Sequence, residues 1–211
     1  VQKEKGGGGR IMNKELLEQL LHQEESESLD FKSEQYKFAG AIDFEKAKLL
    51  KDILAFANSW CTGDAHVLVG VKEIKGHRSQ INSLSEQLDD ADLQDFVNKK
   101  LNRPITFLYR AVSTPEGNIA VITIPRQTRP FHLKKDFANL KANTVYVKRG
   151  SSTDIASLDE VARMGEHHPK TETSLELSFI SGDDGRSLGR ELSVRSYVLR
   201  YDADSVPRYG V

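Results

Sequence analysis

The sequence contains little cysteine, proline or tryptophan. Among its 211 residues there are one cysteine, six prolines and one tryptophan. The single cysteine, Cys61, excludes an intramolecular disulfide and is typical of proteins in a reducing compartment, so we expect a cytoplasmic protein. No apolar run approaches the roughly 20 residues that a membrane-spanning helix needs, so we expect no membrane partner.

The two ends of the sequence differ in character from its middle. No apolar stretch follows the basic residues near the start, so we find no secretory signal peptide. We interpret residues 1–11 as a remnant of cloning, with Met12 as the native start, and we expect one domain over 12–168. Residues 169–211 alternate like strands around a turn-rich segment. They either extend the sheet of the first domain or begin a truncated second domain, and we favour the second interpretation.

Basic residues are concentrated in one part of a sequence whose formal net charge is −1. The segment 99–150 carries eleven Lys and Arg but only two acids, and both flanking segments are acidic. Its bases are Lys99, Lys100, Arg103, Arg110, Arg126, Arg129, Lys134, Lys135, Lys141, Lys148 and Arg149. A basic segment in a near-neutral protein indicates a surface that binds a polyanion such as nucleic acid. The alternative is an ordinary set of solubilising charges.

The spacing of apolar residues predicts helices and short strands. Helices are expected over 14–22, 43–60 and 89–101. Strands are expected over 29–33, 65–71, 105–112, 118–124 and 144–148. Asn13 and Asp43 are the expected N-caps of the first two helices, and Ser157 with Glu160 predicts a capping box before a short fourth helix. Gly70, inside an apolar strand, indicates a bulge or the close approach of a ligand or another backbone.

The first predicted strand places an acid and a base on one face. Successive side chains of a strand point to opposite faces, so Leu29 and Phe31 share one face. Asp30 and Lys32 share the other. This charged pair suits a divalent metal held by the carboxylate, with a phosphate or water held by the ammonium. The alternative is an edge strand with a solvated charged face.

Five segments, in this order, are similar to the signature of one known family. They are 29–32 (LDFK), 55–59 (AFANS), 67–71 (VLVGV), 145–153 (VYVKRGSST) and 156–160 (ASLDE). The first resembles the EFK strand of the Schlafen AlbA_2 domain, and the next two resemble its AFANS helix end and iGV strand. The last two resemble its yyvRvGssT segment and the helix start that follows. The resemblance covers about residues 13–165 of this sequence.

The resemblance implies both a fold and a function. The fold is α+β, with a mixed, mainly antiparallel sheet and three to four helices, to which we add a C-terminal β segment. The domain is often described as DNA-binding, so the expected partner is RNA or DNA. Related Schlafen nucleases cleave structured RNA such as tRNA at a three-carboxylate metal site. A metal-dependent endoribonuclease using Mg²⁺ or Mn²⁺ is therefore a second expectation, although many members of the family have no demonstrated catalytic activity.

The resemblance also selects the acids of such a site. Two of the family's acids lie five residues apart, and Glu25 and Asp30 match them. The third acid follows the iGV strand, where this sequence has Lys72 and then Glu73, and Glu73 is the candidate. The sequence departs from the family by having Asp instead of Glu at position 30 and Lys at position 72. The Gly-Gly turn of the family is also replaced, by CTGD at 61–64.

The remaining site residues are basic. If the site is catalytic, Lys32 would hold the scissile phosphate or position a water. The phosphate backbone would be contacted by Arg126, Arg129, Lys134, Lys135, Lys148 and Arg149. The alternative function is a regulatory or oligomerisation domain without catalysis, which would bind a nucleotide or small ligand near Gly70 and Asn58. A homodimer is kept open in either case.

Overall fold

The computed structural model describes residues 13–166, which form four helices and eight strands. The helices are α1 (Lys14–Leu21), α2 (Asp43–Asn58), α3 (Asp90–Lys100) and α4 (Leu158–Glu166). The strands are β1 (Leu29–Lys32), β2 (Ala65–Val69), β3 (Val71–Lys72), β4 (Gln80–Ile81), β5 (Leu108–Thr114), β6 (Gly117–Ile124), β7 (Tyr146–Arg149) and β8 (Ser152–Ile155). No helix within this range is long and apolar enough to cross a membrane.

A four-stranded sheet in the order β1-β2-β6-β5 forms the centre of the fold. Strands β1 and β2 are parallel, whereas β2–β6 and β5–β6 are antiparallel. Two further antiparallel pairs are formed by β3 with β4 and by β7 with β8. The predicted α+β fold with a mixed, mainly antiparallel sheet is therefore confirmed. The expected β-rich extension over 169–211 lies outside the described residues.

The central sheet is covered on both faces, and the alternation of β1 divides its side chains between them. Leu29 and Phe31 pack with α1 in one apolar layer. Asp30 is in register with Val67, which belongs to the other layer together with α2 and α3. Asp30 and Lys32 therefore face α2. The alternation predicted for β1 is confirmed, and it places the charged pair under a helix.

Gly70 divides the predicted strand 65–71 into β2 and β3. Its φ of +84° suits glycine, and a Cβ there would lie 2.7 Å from Leu84 Cγ and 2.8 Å from the carbonyl oxygen of Asn82. The Asn82 N–H also donates to the Gly70 carbonyl at 2.7 Å. The predicted close approach of another backbone is therefore confirmed. The turn at Gly70 directs the chain into β3, after which Glu73 follows.

Side-chain caps begin three of the four described helices. Asn13 Oδ1 accepts a hydrogen bond from the Leu16 N–H at 2.7 Å, as predicted. The capping box of α4 is also present, because the Ser157 N–H donates to the Glu160 carboxylate at 2.8 Å and the Glu160 N–H donates to Ser157 Oγ at 3.3 Å. The prediction of Asp43 as an N-cap is wrong: the cap position of α2 is the preceding isoleucine. Asp43 instead lies in the first turn, where a negative charge favours the helix dipole.

Candidate functional site

Asp30 is buried between two lysines on the α2 side of the sheet. Its side chain is only 2% exposed. Lys148 of β7 donates to Asp30 Oδ1 at 2.7 Å, and Lys32 forms an ion pair with Oδ2. Lys148 is 4% exposed and also donates to the carbonyl of Ser151 at 3.1 Å. Asp30 is therefore a buried carboxylate with two ammonium partners, and the alternative of a solvated charged face is wrong for it.

The charges continue from Lys32 into α2. Lys32 Nζ lies 3.4 Å from Asp52 Oδ2, and the Tyr36 hydroxyl donates to the same oxygen at 2.7 Å. Burial lowers the pKa of Lys32, but the negative charges of Asp52 and Asp30 outweigh burial and leave the pKa raised. Burial raises the pKa of Asp52. We call these five residues, Tyr36, Asp52, Lys32, Asp30 and Lys148, the buried charge network; its two carboxylates balance two ammonium groups.

Asp52 is a member of this network that the sequence analysis missed. It lies on α2 three residues after Leu49 and four residues before Phe56, both of which are buried. Residues three and four apart share one face of a helix, so Asp52 belongs to the apolar face of α2. An acidic residue on an apolar helix face is the sequence signal that could have identified Asp52. The pairing of Asp52 with Lys32 could not be predicted in the same way, because the two residues lie on different elements.

Glu25 and Glu73 lie beside the buried charge network. Glu73 Oε1 accepts a hydrogen bond from the Glu25 N–H at 2.9 Å, and Glu25 Oε1 accepts one from the Phe31 N–H at 3.4 Å. The pKa of Glu25 is raised, first by burial and then by the negative charge of Asp30, with a smaller contribution from Glu73. Glu25 is therefore close enough to interact with both of the other acids predicted from the family. This holds although the turn at 61–64 differs from that of the family.

The donor chemistry of these acids suits a divalent cation, but their present contacts are with protein groups. Carboxylate oxygens are the ligands that Mg²⁺ and Mn²⁺ prefer. Both oxygens of Asp30 contact lysines, and Glu25 and Glu73 each accept a backbone N–H. Within residues 13–166, no group of three or more His, Cys, Asp or Glu side chains is arranged to hold a metal ion. Metal binding by Glu25, Asp30 and Glu73 stays a prediction.

Three of the six predicted phosphate-binding residues are exposed and have no ion-pair partner in the part of the protein that the structure describes. They are Arg126, Lys134 and Lys135. The Lys134 N–H donates to the Lys100 carbonyl at 2.9 Å, so this loop runs beside the C-terminal end of α3, which also carries Lys99. We call Arg126, Lys134 and Lys135 the basic surface.

The other three predicted phosphate-binding residues are engaged within the protein. Lys148 belongs to the buried charge network. Arg129 is 7% exposed and donates to the Ser59 carbonyl at the end of α2. Arg149 donates two hydrogen bonds to the carboxylate of Glu160, at 3.0 and 2.8 Å. Of the six predicted residues, only those of the basic surface are therefore both exposed and unpaired within residues 13–166, because burial or ion pairing keeps the other three side chains in structural contacts.

The region around Asn58 and Gly70, the alternative ligand site, is filled by protein. The Asn58 side chain is fully buried. It donates to the carbonyls of Phe131 and Tyr146 at 2.9 and 3.0 Å and accepts from the Phe131 N–H at 2.7 Å. Gly70 packs against Leu84. Asn58 therefore joins α2 to the start of β7 and to the segment before it, and its polar atoms have protein partners.

These features define a class of protein: an α+β domain with a buried acid–lysine network on one face of its sheet and a basic surface, part of which lies beside α3. The family model of the Schlafen AlbA_2 domain matches residues 25–157, which is more than half of the sequence. The chain belongs to this family. The matched range begins at Glu25 and ends at Ser157, so it contains the three acids and the whole basic surface.

Comparisons with individual proteins give more distant similarities. No curated protein matches the chain. The chain is similar to the DIP2311 protein from Corynebacterium diphtheriae, with 18% identity, a TM-score of 0.40 and coverage of 62% of this chain and 22% of that one. It is also similar to the N-terminal domain of a Nitrosomonas europaea protein whose name relates it to the ATP-dependent DNA helicase RecG. That similarity has 18% identity and a TM-score of 0.41, over 68% of this chain and 92% of the other. The chain thus spans about a fifth of the length of the first structure.

Proposed function

We propose that this domain binds nucleic acid through the basic surface. The observation that supports it most directly is the exposure of Arg126, Lys134 and Lys135, which have no ion-pair partner within residues 13–166. Cations that are not neutralised by the protein attract phosphates and release counterions when they bind them. Membership of a family often described as DNA-binding supports the same class of partner.

The dependence of binding on salt tests this proposal. Fluorescence anisotropy with labelled RNA and DNA of about 20 nucleotides is measured at salt concentrations from about 50 to about 200 mM. We expect the logarithm of the affinity to fall linearly with the logarithm of the salt concentration. Replacing both Lys134 and Lys135 by Gln should weaken binding and reduce the slope by about one for each lost phosphate contact.

A lysine on the other side of the sheet provides the control. Lys14 lies at the exposed start of α1, and α1 packs on the face opposite α2. Lys14→Gln makes the same change of charge as either substitution in the basic surface. It should leave both the affinity and the salt slope unchanged. Binding that is insensitive to salt, or an equal loss in the control, would contradict the proposal.

A second candidate function is metal-dependent cleavage of structured RNA, and the position of Glu25 favours it. Burial raises the pKa of the Glu25 carboxyl most, and the negative charges of Asp30 and Glu73 raise it further. Such a group of acids would be stabilised by a cation. Glu25, Asp30 and Glu73 would hold Mg²⁺ or Mn²⁺, which would polarise the phosphodiester when bound. Lys32, on the same strand face as Asp30, would hold the scissile phosphate or position a water.

Cleavage of tRNA in the presence of Mn²⁺ tests the second candidate. We expect Glu25→Gln and Glu73→Gln to abolish cleavage while leaving RNA affinity within about twofold, because neither residue belongs to the basic surface. Glu27→Gln, at an exposed neighbouring acid, is the control. A titration that follows Mn²⁺ directly gives a readout independent of cleavage. If both variants cleave and bind Mn²⁺ as the parent does, these acids are not the site.

The regulatory alternative has less support. Protein groups fill the surroundings of Asn58 and Gly70, so no observation there favours a nucleotide or small ligand. A thermal-shift measurement with nucleotides tests this alternative, since a ligand that binds only the folded state raises the unfolding temperature. Sedimentation equilibrium tests the homodimer.

A further inference from the structure

Three phenylalanines form a cluster on the surface that contains α3. Phe96 of α3 lies between Phe38 and Phe137, with ring centroids 5.2 and 5.6 Å away and interplanar angles of 85° and 70°. All three rings are half-buried and pack against the main core. They come from α3 and from two separate loops. We call Phe38, Phe96 and Phe137 the phenylalanine cluster; the fold assembles it and leaves part of each residue accessible to solvent.

Lysine ammonium groups lie over the rings of this cluster. Lys100 Nζ is 4.7 Å from the ring centroid of Phe96 and 4.0 Å from that of Phe137. Lys46 Nζ is 5.6 Å from the centroid of Phe38. These distances are within the range of cation–π attraction, which is weak at exposed sites, about 0.5–1 kcal/mol. The lysines are therefore held at the rings by an interaction that a phosphate can replace.

Further lysines lie close to the phenylalanine cluster. The backbone hydrogen bond from Lys134 to Lys100 brings the exposed side chains of Lys134 and Lys135 to the same part of the surface. The neighbouring Asp136 is paired with Lys141 at 2.9 Å, so it does not neutralise them. The cluster thus combines aromatic rings with unpaired cations, which is the combination that single-stranded nucleic acids require.

We propose that the phenylalanine cluster and its lysines bind a single-stranded segment of nucleic acid, with bases stacked on the rings and phosphates on the ammonium groups. This inference rests on the proposed function and narrows the substrate class. Bases in a duplex are stacked on each other and cannot reach side-chain rings, whereas unpaired bases can. An acidic peptide would pair with the lysines but would gain little from the planar rings.

Two pairs of substitutions separate stacking from charge. Lys100→Gln and Lys99→Gln remove the same charge at adjacent positions, but the Lys99 ammonium pairs with Asp95 and not with a ring. Phe137→Leu removes a ring of the cluster. Its control is Phe44→Leu, because Phe44 is 56% exposed and has no ring contact among the described residues.

Affinities are measured for an unstructured oligonucleotide of about 12 residues and for a duplex of the same sequence. We expect Phe137→Leu to weaken single-strand binding by about tenfold, the effect of losing one stacked base. Lys100→Gln should also weaken it, through the loss of one phosphate contact. Duplex affinity should change by less than about twofold, and both controls should bind like the parent. Phe137→Tyr retains a ring and should restore single-strand affinity, which a loss of folding at this position would not allow.

The outcomes distinguish this inference from the proposed function. If Lys100→Gln and Phe137→Leu bind the single strand as the parent does, or no more weakly than their controls, the inference is wrong while nucleic-acid binding stands. The same conclusion follows if polyglutamate competes as strongly as the single strand. If the parent protein binds neither the single strand nor the duplex, the proposed function itself is wrong.

Discussion

Lys148 Nζ lies 2.7 Å from Asp30 Oδ1, although the two residues are 118 positions apart in the sequence. Their side chains are 4% and 2% exposed. Water can therefore screen this pair very little, and each charge depends on the other for its stability in the interior. The contact also joins edge strand β1 to β7, so this one ion pair both stabilises the fold and forms part of the candidate site.

Lys148→Met should destabilise the domain by about 3 kcal/mol, because removing one partner leaves a buried carboxylate with fewer compensating charges. Urea unfolding measures the change. Lys141→Met, which breaks an exposed pair with Asp136, should cost less than about 1 kcal/mol. Adding Asp30→Asn to Lys148→Met should recover part of the loss, since the unpaired charge is then absent. Simple additivity of the two substitutions would contradict this explanation.

Glu25→Gln should stabilise the folded state at neutral pH by about 0.5 kcal/mol, the size of a partly screened charge interaction. Burial and then Asp30 raise the pKa of Glu25 above 4.5, so the folded state disfavours the ionised form. The advantage of Gln should disappear as the pH falls towards 4.5, because Glu25 in the parent is then protonated. Thermal unfolding at several pH values measures this, with Glu27→Gln as the control. A loss of stability at neutral pH would contradict the prediction.

Glu160→Gln should destabilise the domain at neutral pH but not in strong acid. The hydrogen bonds from Arg149, and then from the Ser157 backbone, lower the pKa of Glu160 to about 2. A carboxyl with a lowered pKa stabilises the folded state above its unfolded value of 4.5, and this contribution is lost as the pH falls towards about 2. The difference in unfolding temperature between parent and variant should therefore shrink across this range. Asp159→Asn, at an exposed neighbouring acid, is the control variant.

Gly70→Ala should cost about 2–4 kcal/mol, since the new methyl group would meet Leu84 and the Asn82 carbonyl and φ is positive. Gly63→Ala is the matched control, because a Cβ there has no neighbour within 4 Å. Chemical unfolding of both variants provides the comparison. Equal stability of the two variants would show that the turn between β2 and β3 can relax.

The elements of the fold were largely predictable because their signals are local. The alternation of Leu29 to Lys32, the cap at Asn13 and the capping box of Ser157 each depend on residues a few positions apart. Strand β8 was not among the predicted strands. Its side chains are mostly exposed and lack an apolar alternation, so its extended form depends on pairing with β7.

The candidate site was predictable only in part. Resemblance to the family selected Glu25, Asp30 and Glu73. Glu73 accepts a hydrogen bond from the Glu25 N–H, and the role of the three acids stays a prediction. The sequence alone also determined that segment 99–150 is basic and that Asp30 and Lys32 share a face, because composition and strand period belong to the sequence itself.

Only the tertiary structure decided which charges are available to a ligand. Lys134 and Lys148 both belong to the basic segment 99–150, yet the first is exposed and the second is buried against Asp30. Sheet register and the packing of α2 on β7 determine that difference, and both depend on contacts between distant segments. The phenylalanine cluster has the same origin, because its three rings meet only when two loops fold against α3.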